Sequence, residues 1–183
     1  KDAATGDNSI YYTLPSMVDG LSVSASLATS GAQTDSTGNN AVGYNATYTG
    51  VEGLSVSFGY GENKGTVNVK DEQLVTKASY AYGPITAGYS INQVEKAAAD
   101  SLTVSSMSLS YSVTDSISVS YGEETFDRSN NTVDIEVSGI SGSYTSGGMT
   151  LGLLSYDSKN NDHTSTSANN DNSYWQASLS FAF

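Results

Sequence analysis

The chain has one histidine, His163, in the stretch "NNDHTS". A histidine with a carboxylate is the smallest unit of general acid–base chemistry, and Asp162 is its immediate neighbour. Adjacent residues rarely face one another, so nothing here orients an imidazole, and His163 reads as an ordinary surface residue. Asp157, Asn160, Asn161, Asp162 and Asp171 supply hard oxygen atoms of the kind Ca²⁺ takes. They lack the spacing of an EF-hand loop and its turn glycine, so they read as a solvated acidic loop. Cysteine is absent, which excludes a thiol nucleophile, a disulfide framework and a zinc–thiolate cluster. No glycine-rich phosphate loop or nucleophile elbow occurs. The expectation is a protein that is not an enzyme, with no catalytic residue, metal or cofactor.

Other charges fall inside segments where polar and apolar residues alternate. Asp134 and Glu136 flank Ile135 in "VDIEV", and Lys77 stands in "VTKAS". On strands, such residues point to one face. These three are expected on a water-facing wall, where their chemistry is electrostatic selection of passing ions. Plain solvation of the wall is the alternative.

The elements that would position them follow a period of two almost throughout. "LSVSASL" puts Leu21, Val23, Ala25 and Leu27 on one face and three serines on the other; "LSVSFGY", "MSLSYSV" and "ISVSYG" repeat the scheme. This is strand periodicity, and no convincing amphipathic helix appears. Eleven strands are predicted, at about 9–15, 21–29, 41–49, 54–62, 73–82, 85–92, 104–113, 117–125, 132–145, 149–157 and 173–183. Two of them break parity, at Val104 with Met107 and at Val137 with Ile140. A β-bulge would restore the face in each, with Ser138–Gly139 a plausible site for the second. Five short turns alternate with five long polar connections, a pattern found in outer-membrane barrels.

Composition agrees. Only 14% of residues are charged and 37% are apolar, both below the usual values for soluble domains. Serine, threonine, glycine, asparagine and tyrosine fill the space, as suits sheets with one apolar and one watered face. The net charge of −12, with seven Lys and Arg against nineteen Asp and Glu, argues against a nucleic-acid partner.

Tracing each strand's direction puts Tyr48, Tyr80, Tyr82, Tyr111, Tyr144, Phe181 and Phe183 near the short turns. Tyr60, Tyr121, Tyr156 and Trp175 fall near the long loops. Two aromatic girdles around small and aliphatic residues are the arrangement of a transmembrane barrel. A soluble barrel or sandwich whose tyrosines fill a core is the competing reading, because alternation alone does not separate lipid from core. The predicted class is therefore all-β, an antiparallel up-and-down transmembrane barrel. An odd strand count puts the two chain ends on opposite sides. Residues 1–8 then read as the tail of a long loop, and an odd number of strands is expected upstream.

Three stretches resemble the trimeric general porins of Gram-negative bacteria, in their α-proteobacterial form. "NSIYYTLPSMVDGLSVSASL", Asn8 to Leu27, resembles the segment after the constriction loop, and "NAVGYNATYTGVEGLSVSFGYGE", Asn40 to Glu62, continues it. "SYWQASLSFAF" resembles the terminal strand. The resemblance implies barrels of 16 strands with a water-filled pore. Residues 1–183 would be the C-terminal part of a single barrel domain, with five strands missing. It implies passive diffusion of small hydrophilic solutes, a homotrimer in outer-membrane lipid, periplasmic short turns and extracellular long loops. It also implies that Trp175, Leu179, Phe181 and Phe183 form an address for the outer-membrane assembly machinery, read by strand addition. In place of the wall arginines many relatives carry, this chain has Ile10, Tyr11 and Tyr12, so the wall is expected to lean towards cations. A complete smaller barrel of 10–12 strands with a structural or adhesive role stays open as the alternative.

Overall fold

The computed structural model describes residues 9–29, 40–64, 70–96, 100–163 and 171–182. They form eleven antiparallel strands: β1 (Ser9–Thr13), β2 (Leu21–Thr29), β3 (Asn40–Tyr48), β4 (Leu54–Lys64), β5 (Lys70–Tyr82), β6 (Ile85–Glu95), β7 (Leu102–Thr114), β8 (Ile117–Arg128), β9 (Ile135–Ser146), β10 (Met149–Lys159) and β11 (Asn172–Phe181). Each pairs with its sequence neighbour in one up-and-down sheet, ordered β1 to β11. A 3₁₀ turn, Asn161–His163, follows β10. Among the described residues no helix is long and apolar enough to cross a membrane.

Turn chemistry explains why the chain reverses where it does. Gly83 takes φ 55° ahead of Pro84, and the pyrrolidine ring holds φ near −65°; the order positive then negative is that of a type II′ hairpin turn. Gly147 and Gly148 are both left-handed, at φ 56° and 84°, as a type I′ turn requires. The turn Thr114–Ser116 uses a side chain instead: Thr114 Oγ1 accepts from the backbone N–H of Ser116 at 3.2 Å and of Ile117 at 3.1 Å.

Several strands run further than alternation indicated. β5 begins at Lys70 rather than 73, and β6 and β8 continue to Glu95 and Arg128. Backbone pairing continues into the bases of the long loops after the side chains have become polar, and alternation marks only the apolar part of each strand. β1 ends sooner, at Thr13, and β9 starts later, at Ile135.

The expected bulge at Ser138–Gly139 is absent. β8 and β9 pair without interruption from Ile117↔Tyr144 to Phe126↔Ile135, and β9 and β10 from Ser146↔Met149 to Glu136↔Lys159. Parity is therefore unbroken along β9. Glu136, Ser138, Ile140, Gly142 and Tyr144 share one face; Val137, Gly139, Ser141 and Ser143 share the other.

The chain divides into two compact units, residues 1–78 with 90–103 and residues 79–89 with 104–183. In each unit one face is aliphatic and aromatic and the other is rich in hydroxyls. Among the described residues the only buried hydrophobic side chain is Ala41. Ile140 is 59% exposed, Leu153 55% and Trp175 77%. A sandwich would cover its apolar face; here that face is open in both units.

Candidate functional site: the hydroxyl-lined wall

In the first unit, pairing across β1 to β4 puts Tyr11, Ser24, Ser26, Gly43, Asn45, Ser57, Gly59 and Gly61 on one face. Residues Gln73, Val75 and Lys77 of β5 join them around a hollow of about 300 Å³. The hollow exists because three glycines leave its floor as bare backbone. Gln73 Nε2 donates to Asn92 Oδ1 at 3.0 Å, and Thr47 and Ser57 share a hydroxyl hydrogen bond of 3.0 Å. Lys77 thus stands on the hydroxyl face.

In the second unit the hydroxyl face is a ladder of hydroxyl pairs. Ser110 bonds Ser120 at 3.0 Å, Ser118 bonds Ser143 at 2.8 Å, and Thr145 bonds Thr150 at 3.0 Å. Ser106 Oγ donates to Glu124 at 2.8 Å, which puts Glu124 on this hydroxyl face. Alternation from Ser118 through Ser120 and Gly122 leads directly to Glu124, and the sequence reading passed over it.

Two expected wall residues lie elsewhere. Glu136 faces Thr125 and Lys159 on the side of Ile140 and Tyr144; the inward placement assumed the bulge that is absent. Asp134 lies ahead of β9, where its carbonyl accepts from Asn160 Nδ2 at 3.0 Å.

The apolar face carries many of the aromatic residues named above. Tyr48 pairs with Val56, Tyr60 with Tyr44, Tyr121 with Ile140, and Tyr144 with Ile117 and Leu151. Tyr44 and Tyr60 stack at 6.4 Å, and Tyr80 and Tyr82 at 6.5 Å. Tyr111 occupies the same phase of β7 as Leu109 and Val113. Trp175, Leu179 and Phe181 share one face of β11, opposite Ser155, Leu151 and Met149; Phe183 lies outside the described residues. Tyr156 departs from the girdle. It pairs with Gly139 and Tyr174, on the face of Ser141 and Gln176.

Beyond the aromatic band, towards the long loops, the apolar face becomes charged. Tyr60 Oη donates to Glu62 at 3.1 Å and also to Glu72, and Tyr121 Oη donates to Glu123. Lys70 Nζ sits 2.9 Å from Glu62 and 2.8 Å from Glu72, with Lys64 3.2 Å from Glu62. The Lys70 and Lys64 ammonium groups hold the Glu62 carboxyl down at about 2. Lys70 hydrogen-bonded to Glu72 lowers that carboxyl too, and the two carboxylates raise Lys70 in return.

The described residues at the base of the loop after β10 are tied together by hydrogen bonds. The Val133 carbonyl can only accept, so His163 Nδ1 donates to it, at 3.0 Å. Asp171 accepts from the Asn160 backbone N–H at 3.0 Å, and Asp157 from Ser173 Oγ at 2.5 Å. Asp157 and Asp171 therefore serve separate partners. Among the described residues no group of three or more His, Cys, Asp or Glu is gathered to hold a metal ion.

A family model described as Gram-negative porin matches residues 2–164. No curated protein matches the chain.

Proposed function

Because this chain belongs to the Gram-negative porin family, we propose that it forms wall of a general-diffusion pore passing small hydrophilic solutes and ions. Family membership supports an outer-membrane β-barrel channel and an environment of outer-membrane lipid. The observation that carries the finer reading is the division of the sheet. Large apolar side chains lie uncovered on one face, and paired hydroxyls, amides, Lys77 and Glu124 occupy the other. The first suits lipid, where every backbone group must be satisfied within the sheet. The second suits water, because hydroxyls stripped of partners would cost about 1–3 kcal/mol each. The mechanism needs no chemical step: solutes move down their gradients, and fixed wall charges bias which ions pass.

In this reading the short turns face the periplasm and the long loops the exterior, the protein assembles as a homotrimer, and Trp175, Leu179, Phe181 and Phe183 serve as the assembly address. We also propose that residues 1–183 belong to a single barrel domain.

Planar-bilayer recording of the full-length protein tests the central claim. Stepwise, ohmic openings are expected; their absence across repeated insertions overturns it.

A further inference from the structure

We propose that Tyr156 and Tyr174 form a stacking platform for the ring of a neutral sugar. The proposal rests on the hydroxyl face being the water-facing pore lining. The two rings stand side by side on β10 and β11, with centroids 5.2 Å apart and planes tilted by 35°. Tyr174 is 46% exposed. Neighbouring β9 presents Gly139 opposite Tyr156, where even a Cβ would approach the tyrosine's own Cβ to 3.0 Å. The Gly139 backbone therefore packs closely against the base of Tyr156 and holds the side chain in place.

A tyrosine on the lipid face is accounted for by the membrane. These two lie on the other face, where exposed ring carbon costs roughly 25 cal/mol per Å² in water. Their surroundings, one leucine and three polar side chains, indicate what could cover them. On the same face Tyr156 is flanked along β10 by Leu154 and Ser158, and Tyr174 along β11 by Asn172 and Gln176. None of the four is charged. A pyranose matches this setting: its C–H faces meet the electron-rich ring faces, and its edge hydroxyls can exchange hydrogen bonds with amides and hydroxyls. An anion would find no counter-charge among these positions, and the carboxylate of Glu124, on the same face across Val137 from Ser158, is already engaged by Ser106.

The platform is also held in place at its loop end. Ser158 Oγ donates to Asn161 Oδ1 at 2.6 Å, and His163 and Asn160 tie the same loop base to the carbonyls of Val133 and Asp134. Little ordering is left for a ligand to supply, which favours binding by a small surface.

The test uses the full-length protein in micelles of a sugar-free detergent, with maltotriose as the probe. Saturation-transfer NMR should carry magnetisation to the C–H protons of maltotriose. Titration in planar bilayers should give a saturable current block. The double variant Tyr156→Ser/Tyr174→Ser should lose the transfer and raise the half-blocking concentration about tenfold, whereas Tyr156→Phe and Tyr174→Phe keep both. No transfer in the unmodified protein, or equal transfer in the serine variant, overturns the platform. Should the double variant not fold, Tyr174→Ser alone carries the comparison. Openings without transfer leave the pore standing and remove the platform; transfer without openings does the reverse.

Discussion

Ser106 and Glu124 are joined by a 2.8 Å hydrogen bond from the serine hydroxyl to the carboxylate. That contact puts Glu124 on the hydroxyl face of β8, while Glu136 stands on the opposite face of β9, across from Thr125. A fixed charge about 8 Å from a passing ion in a water-like medium is worth about 0.5 kcal/mol, a roughly twofold bias. Glu124→Gln should therefore lower the cation-to-anion permeability ratio by about that factor. Glu136→Gln should leave it nearly unchanged. Reversal potentials under a KCl gradient measure both, and equal shifts would contradict the assignment of faces.

Lys77 should act in the opposite direction. It lines the hollow of the first unit with uncharged neighbours, so Lys77→Gln removes a cation without baring a partner. The permeability ratio should rise, again roughly twofold, and a fall would place Lys77 away from the ion path.

Adjacent leucines on β10 lie on opposite faces of the sheet. Leu153 pairs with Gly142 and Ala177 on the apolar face; Leu154 pairs with Ser141 and Gln176 on the other. Leu153→Arg should destabilise the folded protein by about 2–4 kcal/mol, as a charge near the bilayer midplane does. Leu154→Arg should cost much less. Urea unfolding from lipid vesicles compares them, and a larger loss for Leu154→Arg would reverse the two faces.

Filling the hollow should narrow the pore without weakening the sheet. A Cβ at Gly59 would meet Asn45 Nδ2 at 3.8 Å and Val75 Cβ at 3.9 Å, which are ordinary contacts. Gly59→Leu should keep the barrel's heat-resistant migration in gels, since strand glycines are poor formers, and should reduce single-channel conductance. Unchanged conductance would mean that the hollow lies outside the solute path.

The ion cluster at the loop end of β4 and β5 should respond to acid. Glu62, held near 2 against its ordinary 4.5, contributes stability that is full above about 4.5 and lost as pH falls from there through about 2. Lys70 is raised above its ordinary 10.5, so its contribution is full below that value and fades only above it. Carbon-13 NMR of the Glu62 carboxyl should give a midpoint far below 4. Lys70→Gln should bring that midpoint up towards the ordinary value, and a midpoint already ordinary in the unmodified protein would sink the cluster.

Much of this was legible because strand side chains repeat every two residues. Leu54, Val56, Phe58 and Tyr60 declare one face of β4 without help from any other strand, and glycine pairs such as Gly147–Gly148 announce the turn. What failed was phase. The apolar residues Val137 and Ile140 differ by an odd number, and a bulge was the simplest way to put both in lipid. The chain instead lets Val137 lie opposite Glu124 and Ser158 on the hydroxyl face, and Glu136 moves with the phase. Tyr156 was misassigned for a related reason: a tyrosine near a strand end looks the same in sequence whichever way it points.

The sequence by itself determined the all-β class, the turn positions, the existence of two chemically distinct faces and the absence of cysteine chemistry, because each depends on residue type and spacing along one strand. Only the tertiary structure decided which acid joins the wall, which tyrosines leave the girdle and how the loop after β10 is tied down. Those depend on register between strands and on contacts between residues far apart in the chain, and a shift of one residue exchanges every side chain between the faces.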